Sequence, residues 1–220
     1  HQVNTLIGTK GTGLTSGYLY PGATYPYGMV QFTPSYFSKR SGFVINQLSG
    51  GGCEHMGNFP TFPVKVKLKM SPDNILNYRI NVSEEKGHAG YYEAMGQEDI
   101  KAKLTVTERT GMASYEYPAD QQYGTIIIGG GISATPIEQA AIVITAPNKC
   151  EGYAEGGNFC GLRTPYKVYF VAEFDTDAFE TGTWKREELM PNTTFAEGEY
   201  SGVYFTFDVN KKKNIQYKIG

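Results

Sequence analysis

The chain has 220 residues, with 20 basic and 22 acidic side chains and a formal net charge of -2. It therefore carries no global field to hold a phosphate backbone, and nucleic acid is a poor partner. Hydrophobic residues make up 40% and charged residues 19%, beside 27 glycines and 11 prolines; this argues against disorder and for many strands joined by turns.

In chain order, Gly42 to Leu48 is a short, irregular strand candidate. Pro63 to Met70 alternates Val64, Val66, Leu68 and Met70 with Lys65, Lys67 and Lys69, which predicts a half-buried strand. Ile100 to Thr107 repeats the pattern, so Ile100, Leu104 and Val106 are expected to face the core together with Val64, Val66 and Leu68. Met112 to Tyr117, Thr125 to Ile128, Ala141 to Thr145, Tyr166 to Phe174, Val203 to Val209 and Ile215 to Ile219 are further β-branched or aromatic runs bounded by turn residues. The best helical stretch is Trp184 to Met190, one or two turns at most. No linker or repeat divides the chain, and no run of about 18 apolar residues predicts a membrane span. The expected fold is all-β, a large antiparallel β-sandwich.

The start, His1-Gln2-Val3-Asn4, predicts a processed or trimmed end, and the pattern still running through Ile215 to Ile219 predicts a fragment of a longer protein. Cys53, Cys150 and Cys160 are odd in number and form no CxxC pair, so neither a disulfide framework nor a structural zinc site is supported. Cys150 and Cys160 could pair across a loop in an oxidising compartment, but nothing in the spacing requires it.

Two glycine knots stand out: Ser49-Gly50-Gly51-Gly52-Cys53-Glu54-His55-Met56-Gly57-Asn58 and Gly156-Gly157-Asn158-Phe159-Cys160-Gly161. Each adjoins a strand-like run and presents thiol, carboxylate, imidazole or amide groups where the backbone turns sharply, the make-up of a binding surface. Ser49, Gly50, Gly52, Cys53, Glu54, His55 and Asn58 of the first, and Phe159, Cys160 and Arg163 at the second, are the candidate substrate-binding residues, with Tyr20 from the Pro/Gly-rich loop at 18–28. Three scattered histidines support no histidine-based metal site, and no nucleophile elbow or HExxH helix appears. Gly8-Thr9-Lys10-Gly11-Thr12-Gly13 lacks the GK[ST] ending of a phosphate loop.

Pro21-Gly22-Ala23, Pro26-Tyr27-Gly28-Met29-Val30-Gln31, Leu48-Ser49-Gly50, Gly52-Cys53, Gly90-Tyr91-Tyr92, Thr107-Glu108-Arg109 and Tyr166-Lys167-Val168-Tyr169-Phe170, taken in order, resemble the amino-terminal domain of glycoside hydrolase family 92. That family is one of mostly bacterial, calcium-dependent, exo-acting α-mannosidases. The resemblance implies a supersandwich of the galactose-mutarotase-like kind over residues 1–220. It also implies a carboxy-terminal (α/α)6 barrel outside this chain, with the active site in the cleft between them. There an acidic pair hydrolyses the glycosidic bond with inversion, one acid protonating the leaving oxygen and the other activating water from the opposite face, and calcium helps hold the mannose of a glycan. No catalytic residue is then expected in this chain, its metal ligands are not identified, and a secreted or periplasmic location follows.

The chain departs from the family pattern where many members read SHTHLSG: here Val44-Ile45-Asn46-Gln47-Leu48-Ser49-Gly50 places Ile45 and Gln47 at the histidine positions. Ser35-Tyr36-Phe37 stands where members carry Asp-Thr-Arg. Two rivals remain: a stand-alone carbohydrate-binding module that stacks sugars on Tyr18, Tyr20 and Trp184, and a structural sandwich in a surface assembly.

Overall fold

The structure is a computed structural model that describes residues 3–9, 19–35, 42–47, 56–72 and 82–220. Alternating side chains build two antiparallel sheets, each with one face turned to the other. In chain order the first strands are β1 (Ala23–Thr24), β2 (Gln31–Pro34), β3 (Phe43–Val44) and β4 (Thr61–Val64). They are followed by β5 (Ser83–His88), β6 (Tyr91–Met95), β7 (Lys101–Val106), β8 (Gly111–Glu116), β9 (Tyr123–Gly129) and β10 (Ile137–Ala146). The last are β11 (Lys149–Gly156), β12 (Tyr166–Phe174), β13 (Glu180–Lys185), β14 (Glu188–Pro191), β15 (Phe195–Glu197), β16 (Ser201–Asp208) and β17 (Asn214–Ile219). One sheet runs β1-β2-β3-β4-β9-β16-β13-β14 and the other β15-β10-β11-β12-β17-β8-β7-β6-β5. A 3-10 turn spans Gln97–Asp99.

The core fills the space between the sheets. Phe174 of β12 meets Phe205 and Phe207 of β16 at ring-centroid distances of 4.8 and 5.1 Å, and Phe43 of β3 meets Tyr115 of β8 at 5.7 Å. Offset aromatic contacts of this kind add about 0.5–1.5 kcal/mol each to the burial of the rings. Strands β9 and β16 are covered on both faces, as the unbroken buried runs of Ile126-Ile127-Ile128 and Val203-Tyr204-Phe205 require. Between these strands the Thr125 and Thr206 hydroxyls bond at 2.8 Å, and Thr125 also donates to the Val66 carbonyl.

Ile100, Leu104 and Val106 face the core as expected. The strand expected over Pro63 to Met70 stops at Val64, and Val66 and Met70 are exposed rather than inward. Backbone groups that a ladder would have used are taken by side chains. Glu98 accepts from the Lys65 amide at 2.6 Å, while the carbonyls of Lys65 and Val66 accept from Gln121 and Thr125. The chain thus leaves the sheet here despite its period-2 pattern.

Trp184 to Met190 is likewise not helical. It spans a hairpin in which Trp184 pairs with Leu189 and Lys185 with Glu188, turned by Arg186-Glu187 with Arg186 in the left-handed region at φ 50°.

Candidate functional site

The register of the strands sorts their connections. Gly129 pairs with Gly202 and Ile128 with Thr61, so β9 ends where β4 and β16 begin. Val44 pairs with Thr33, and Ile137 pairs with Gly156, which pairs in turn with Tyr166. Ile219 pairs with both Ala172 and Gly111. The loop at 25–30, the segments at 45–47 and 56–60, the turn at 107–110, the link at 130–136 and the loop at 157–165 therefore all leave the sandwich at one end.

At that end Asn46 and Asn58 interlock. Asn46 Oδ1 accepts from the Asn58 amide at 2.8 Å, and Asn46 Nδ2 donates to Asn58 Oδ1 at 3.0 Å. Gly57 donates to the Asn46 carbonyl at 3.1 Å, and Gln47 bridges to Met56. The backbone folds back through three left-handed residues in four, with φ of 59° at Met56, 74° at Gly57 and 54° at Phe59. Asn58 is fully buried and its Nδ2 meets no acceptor. A buried amide donor that stays unmatched costs about 1–3 kcal/mol, and the Thr135 hydroxyl in the link at 130–136 is a second buried group without a partner at this end.

The two knots adjoin through the link at 130–136. Ala134 donates to the Met56 carbonyl at 2.8 Å, and Ser133 forms a local turn by accepting from the Thr135 amide at 3.2 Å. Two residues on, the chain enters β10 opposite Gly156. Gly157 then needs to be glycine: its φ is 148° and a Cβ would lie 2.3 Å from the Thr164 carbonyl oxygen.

Beyond it Phe159 and Leu162 exchange both backbone hydrogen bonds at 2.8 Å, and Gly161 donates to Asn158 Oδ1 at 2.9 Å. Cys160 sits at the tip with φ 51° and is disulfide-bonded, whereas Cys150 is a free, buried thiol. A Cys150–Cys160 bridge is thus not formed. Arg163 holds its guanidinium 3.4 Å from the Glu138 carboxylate while staying largely exposed. Such a pair is weakly bound and free to meet a ligand oxygen.

Of the candidate residues, Asn58, Phe159, Cys160 and Arg163 gather at this end. Ser49, Gly50, Gly52, Cys53, Glu54 and His55 lie outside the described residues, as does Tyr18. Tyr20 is half-buried and precedes β1, whose far end is the one that faces the loops. Sequence reasoning missed Asn46, Ser133 and Glu138. The signal for Asn46 lay in its position twelve residues before Asn58; only strand pairing brings in the other two.

The sequence matches the glycosyl hydrolase family 92 N-terminal domain over residues 2–220. The chain belongs to this family. Over 136 residues, 53% of its length, it is 30% identical to an uncharacterized secreted glycosidase of Arthroderma benhamiae, of which it spans 17%. It superposes with a TM-score of 0.81 and 24% identity on the family 92 α-mannosidase BT3965 of Bacteroides thetaiotaomicron, covering 99% of itself and 32% of that chain. The inverting mannosidase BT2199 of the same organism matches with a TM-score of 0.79, 23% identity and 30% of its length covered. The chain spans about a third of these solved relatives.

In this family 92 domain the most specific family segments touch one another: the Met29 amide donates to the Glu108 carbonyl at 2.7 Å, joining Pro26-Tyr27-Gly28-Met29 to Thr107-Glu108-Arg109. Trp184, one of the three stacking candidates of the binding-module reading, is buried at 1% exposure and offers no ring face to a sugar. Among the described residues no three His, Cys, Asp or Glu side chains group closely enough to hold a metal. They therefore supply no carboxylate cluster of the kind calcium takes.

Proposed function

We propose that this chain is the amino-terminal domain of an inverting, exo-acting α-mannosidase-type glycoside hydrolase and forms one wall of its sugar-binding cleft. The observation that carries this reading is the convergence of the family segments at 26–31 and 107–109 on the end where Asn58 and Arg163 sit. The partial neighbours point the same way, since the solved relatives named as mannosidases are about three times as long.

In this reading the wall binds and orients. The exposed Arg163 guanidinium is a donor suited to sugar hydroxyls, and Gly161 lets backbone come close, while the Asn46–Asn58 pair holds the neighbouring turn from within. Proton transfer needs two carboxyl groups about 6.5–9.5 Å apart across the scissile bond, and these belong to a carboxy-terminal (α/α)6 domain. Calcium would sit at the junction with that domain, its carboxylates coming from outside the described residues. The likeness to a secreted glycosidase supports a secreted or periplasmic site of action.

The test uses the full-length enzyme. Arg163→Ala, Glu54→Ala and His55→Ala are expected to raise KM or lower kcat/KM on an α-mannoside about tenfold or more while thermal unfolding stays put. Unchanged kinetics in all three would sink the reading of this end as a substrate wall. Residues 1–220 alone are expected to turn over no aryl α-mannoside; turnover that is lost on replacing one of their own acids would overturn the assignment of catalysis to another domain.

A further inference from the structure

Beyond Val64 the chain runs as a strap over the outer face of the smaller sheet, the face of Thr125 and Thr206 that is turned away from Phe205 and Phe207. Thr125 of β9 donates to the Val66 carbonyl at 2.6 Å, and past β16 the Lys67 ammonium reaches Glu180 of β13 at 3.2 Å. Tyr123 pairs with Asp208 and Glu180 with Thr206, whereas Gly129 pairs with Gly202 at the end that carries the loops. The strap therefore crosses at the opposite end of the sandwich, about 20 Å away at roughly 3.4 Å per strand residue.

There the Lys67 ammonium lies 4.3 Å from the Phe179 ring centre and 4.7 Å from that of Tyr123, and the two rings meet at 5.7 Å with planes 37° apart. The Phe179 amide donates to the Thr206 carbonyl at 2.7 Å, which fixes the root of the side chain, yet the residue stays 61% exposed. Lys67 and Glu180 are half-buried beside it. Tyr123 Oη accepts from the Gln122 amide at 3.2 Å and keeps its own proton to donate.

Glu180 offsets the Lys67 charge, so this cluster holds no net positive field for a phosphate or sulfate. An open ring face beside a carboxylate, an ammonium and a phenol fits instead a neutral polyol, whose C–H face lies on the ring while its hydroxyls meet the donors and acceptors. The polar groups already hold one another, so little ordering is left for a ligand to impose.

We propose that Phe179, Tyr123, Lys67 and Glu180 form a glycan-holding site, separate from the cleft wall, that retains a neutral polysaccharide without cleaving it. The ligand is α-mannan, and in that choice alone the proposal rests on the mannosidase reading above. A branched glycan gripped here keeps its chain ends at high local concentration around the rest of the protein.

Affinity electrophoresis of the full-length protein through gels that hold soluble α-mannan tests this. Phe179→Ser and Tyr123→Ala are each expected to raise the apparent Kd for mannan at least about fivefold, with Phe179→Trp at the parent value. Kinetics on an aryl α-mannoside and the thermal midpoint should stay unchanged. If Tyr123→Ala lowers the midpoint, Phe179→Ser decides by itself, because its ring is exposed. Equal retardation of the parent and Phe179→Ser overturns the proposal, as does a parent that mannan does not retard. Retardation that about 1 M salt removes assigns the contact to charge and overturns it too. So does a Phe179→Ser variant with a raised KM on the aryl α-mannoside, which places the ring in the cleft. A parent that turns over no α-mannoside but is retarded through Phe179 sinks the mannosidase reading alone.

Discussion

The backbone N–H of Met29 donates to the carbonyl of Glu108 over 2.7 Å, fastening the loop after β1 to the turn between β7 and β8 across the two sheets. Gly28 lies in the seam, where an added Cβ would sit 3.1 Å from the Tyr25 carbonyl oxygen and 3.2 Å from that of Glu108. Gly28→Val is therefore expected to destabilise the domain by about 1–3 kcal/mol. A urea midpoint equal to that of the parent would mean the seam yields freely.

Phe174 touches Phe205, Phe207 and Tyr217 at centroid distances of 4.8, 5.1 and 5.3 Å, so one ring joins the two sheets at two points and braces the neighbouring strand β17 at a third. Phe174→Ala should cost about 3–5 kcal/mol by lost burial and an unfilled cavity. Phe174→Leu should recover part of that. Chemical denaturation of both variants measures the difference, and a loss under 1 kcal/mol for the alanine would show that the sheets collapse around the gap.

Glu93 accepts from the Tyr91 hydroxyl at 2.7 Å and lies 3.0 Å from the Lys101 ammonium. The Tyr91 hydrogen bond first, and Lys101 after it, hold its carboxyl below the ordinary range against the opposing pull of burial. The Tyr91 phenol is pushed up to about 12, by burial and then by Glu93. A carboxyl lowered in the folded state stabilises the fold above its unfolded pKa, and that stabilisation is lost as pH falls through the folded value. Glu93→Gln should thus weaken the domain by about 1 kcal/mol at pH 7, with the difference shrinking below about pH 4. A difference of equal size at pH 7 and pH 3 would assign the loss to packing instead.

Cys150 is fully buried, and burial first, then the Glu151 charge, push its thiol well up. It should resist maleimide in the native protein and react on denaturation without reductant, whereas the Cys160 peptide should react only after reduction. Non-reducing peptide mapping is expected to recover the Cys160 peptide in a disulfide-linked pair and the Cys150 peptide unlinked; a disulfide-linked dimer on a non-reducing gel would assign the bond to two chains.

Strands whose side chains alternate cleanly, such as β7, β8 and β17, were legible because one face meets the core and the other meets water. Hairpin β5–β6 and strand β11 were not. β5 reads Ser-Glu-Glu-Lys-Gly-His at a sheet edge, and β11 carries Gly152 and Gly156 among charges, so neither shows an apolar row. Pro63 to Met70 erred the other way, because tertiary acceptors and donors claimed its backbone before a neighbouring strand could. At the site, glycine and asparagine marked the turns at 57–58 and 156–161. That they share an end depends on Ile137 pairing with Gly156 and Ala134 bonding to Met56, long-range registers that no local pattern encodes.

Both sheets are completed from the middle by late-sequence strands: β16 lies between β9 and β13, and β17 between β8 and β12. During synthesis the hairpins up to β12 can form as they emerge, yet β8 and β12 stay apart until residues 214–219 have left the ribosome. Contacts this distant in sequence make folding slow, and the waiting intermediate exposes two unpaired inner strand edges. A nascent chain stalled before residue 210 is then protease-sensitive throughout, and one released past Gly220 becomes resistant in a single step, so the ribosome and any translocation pore handle this domain unfolded until its last tenth has passed.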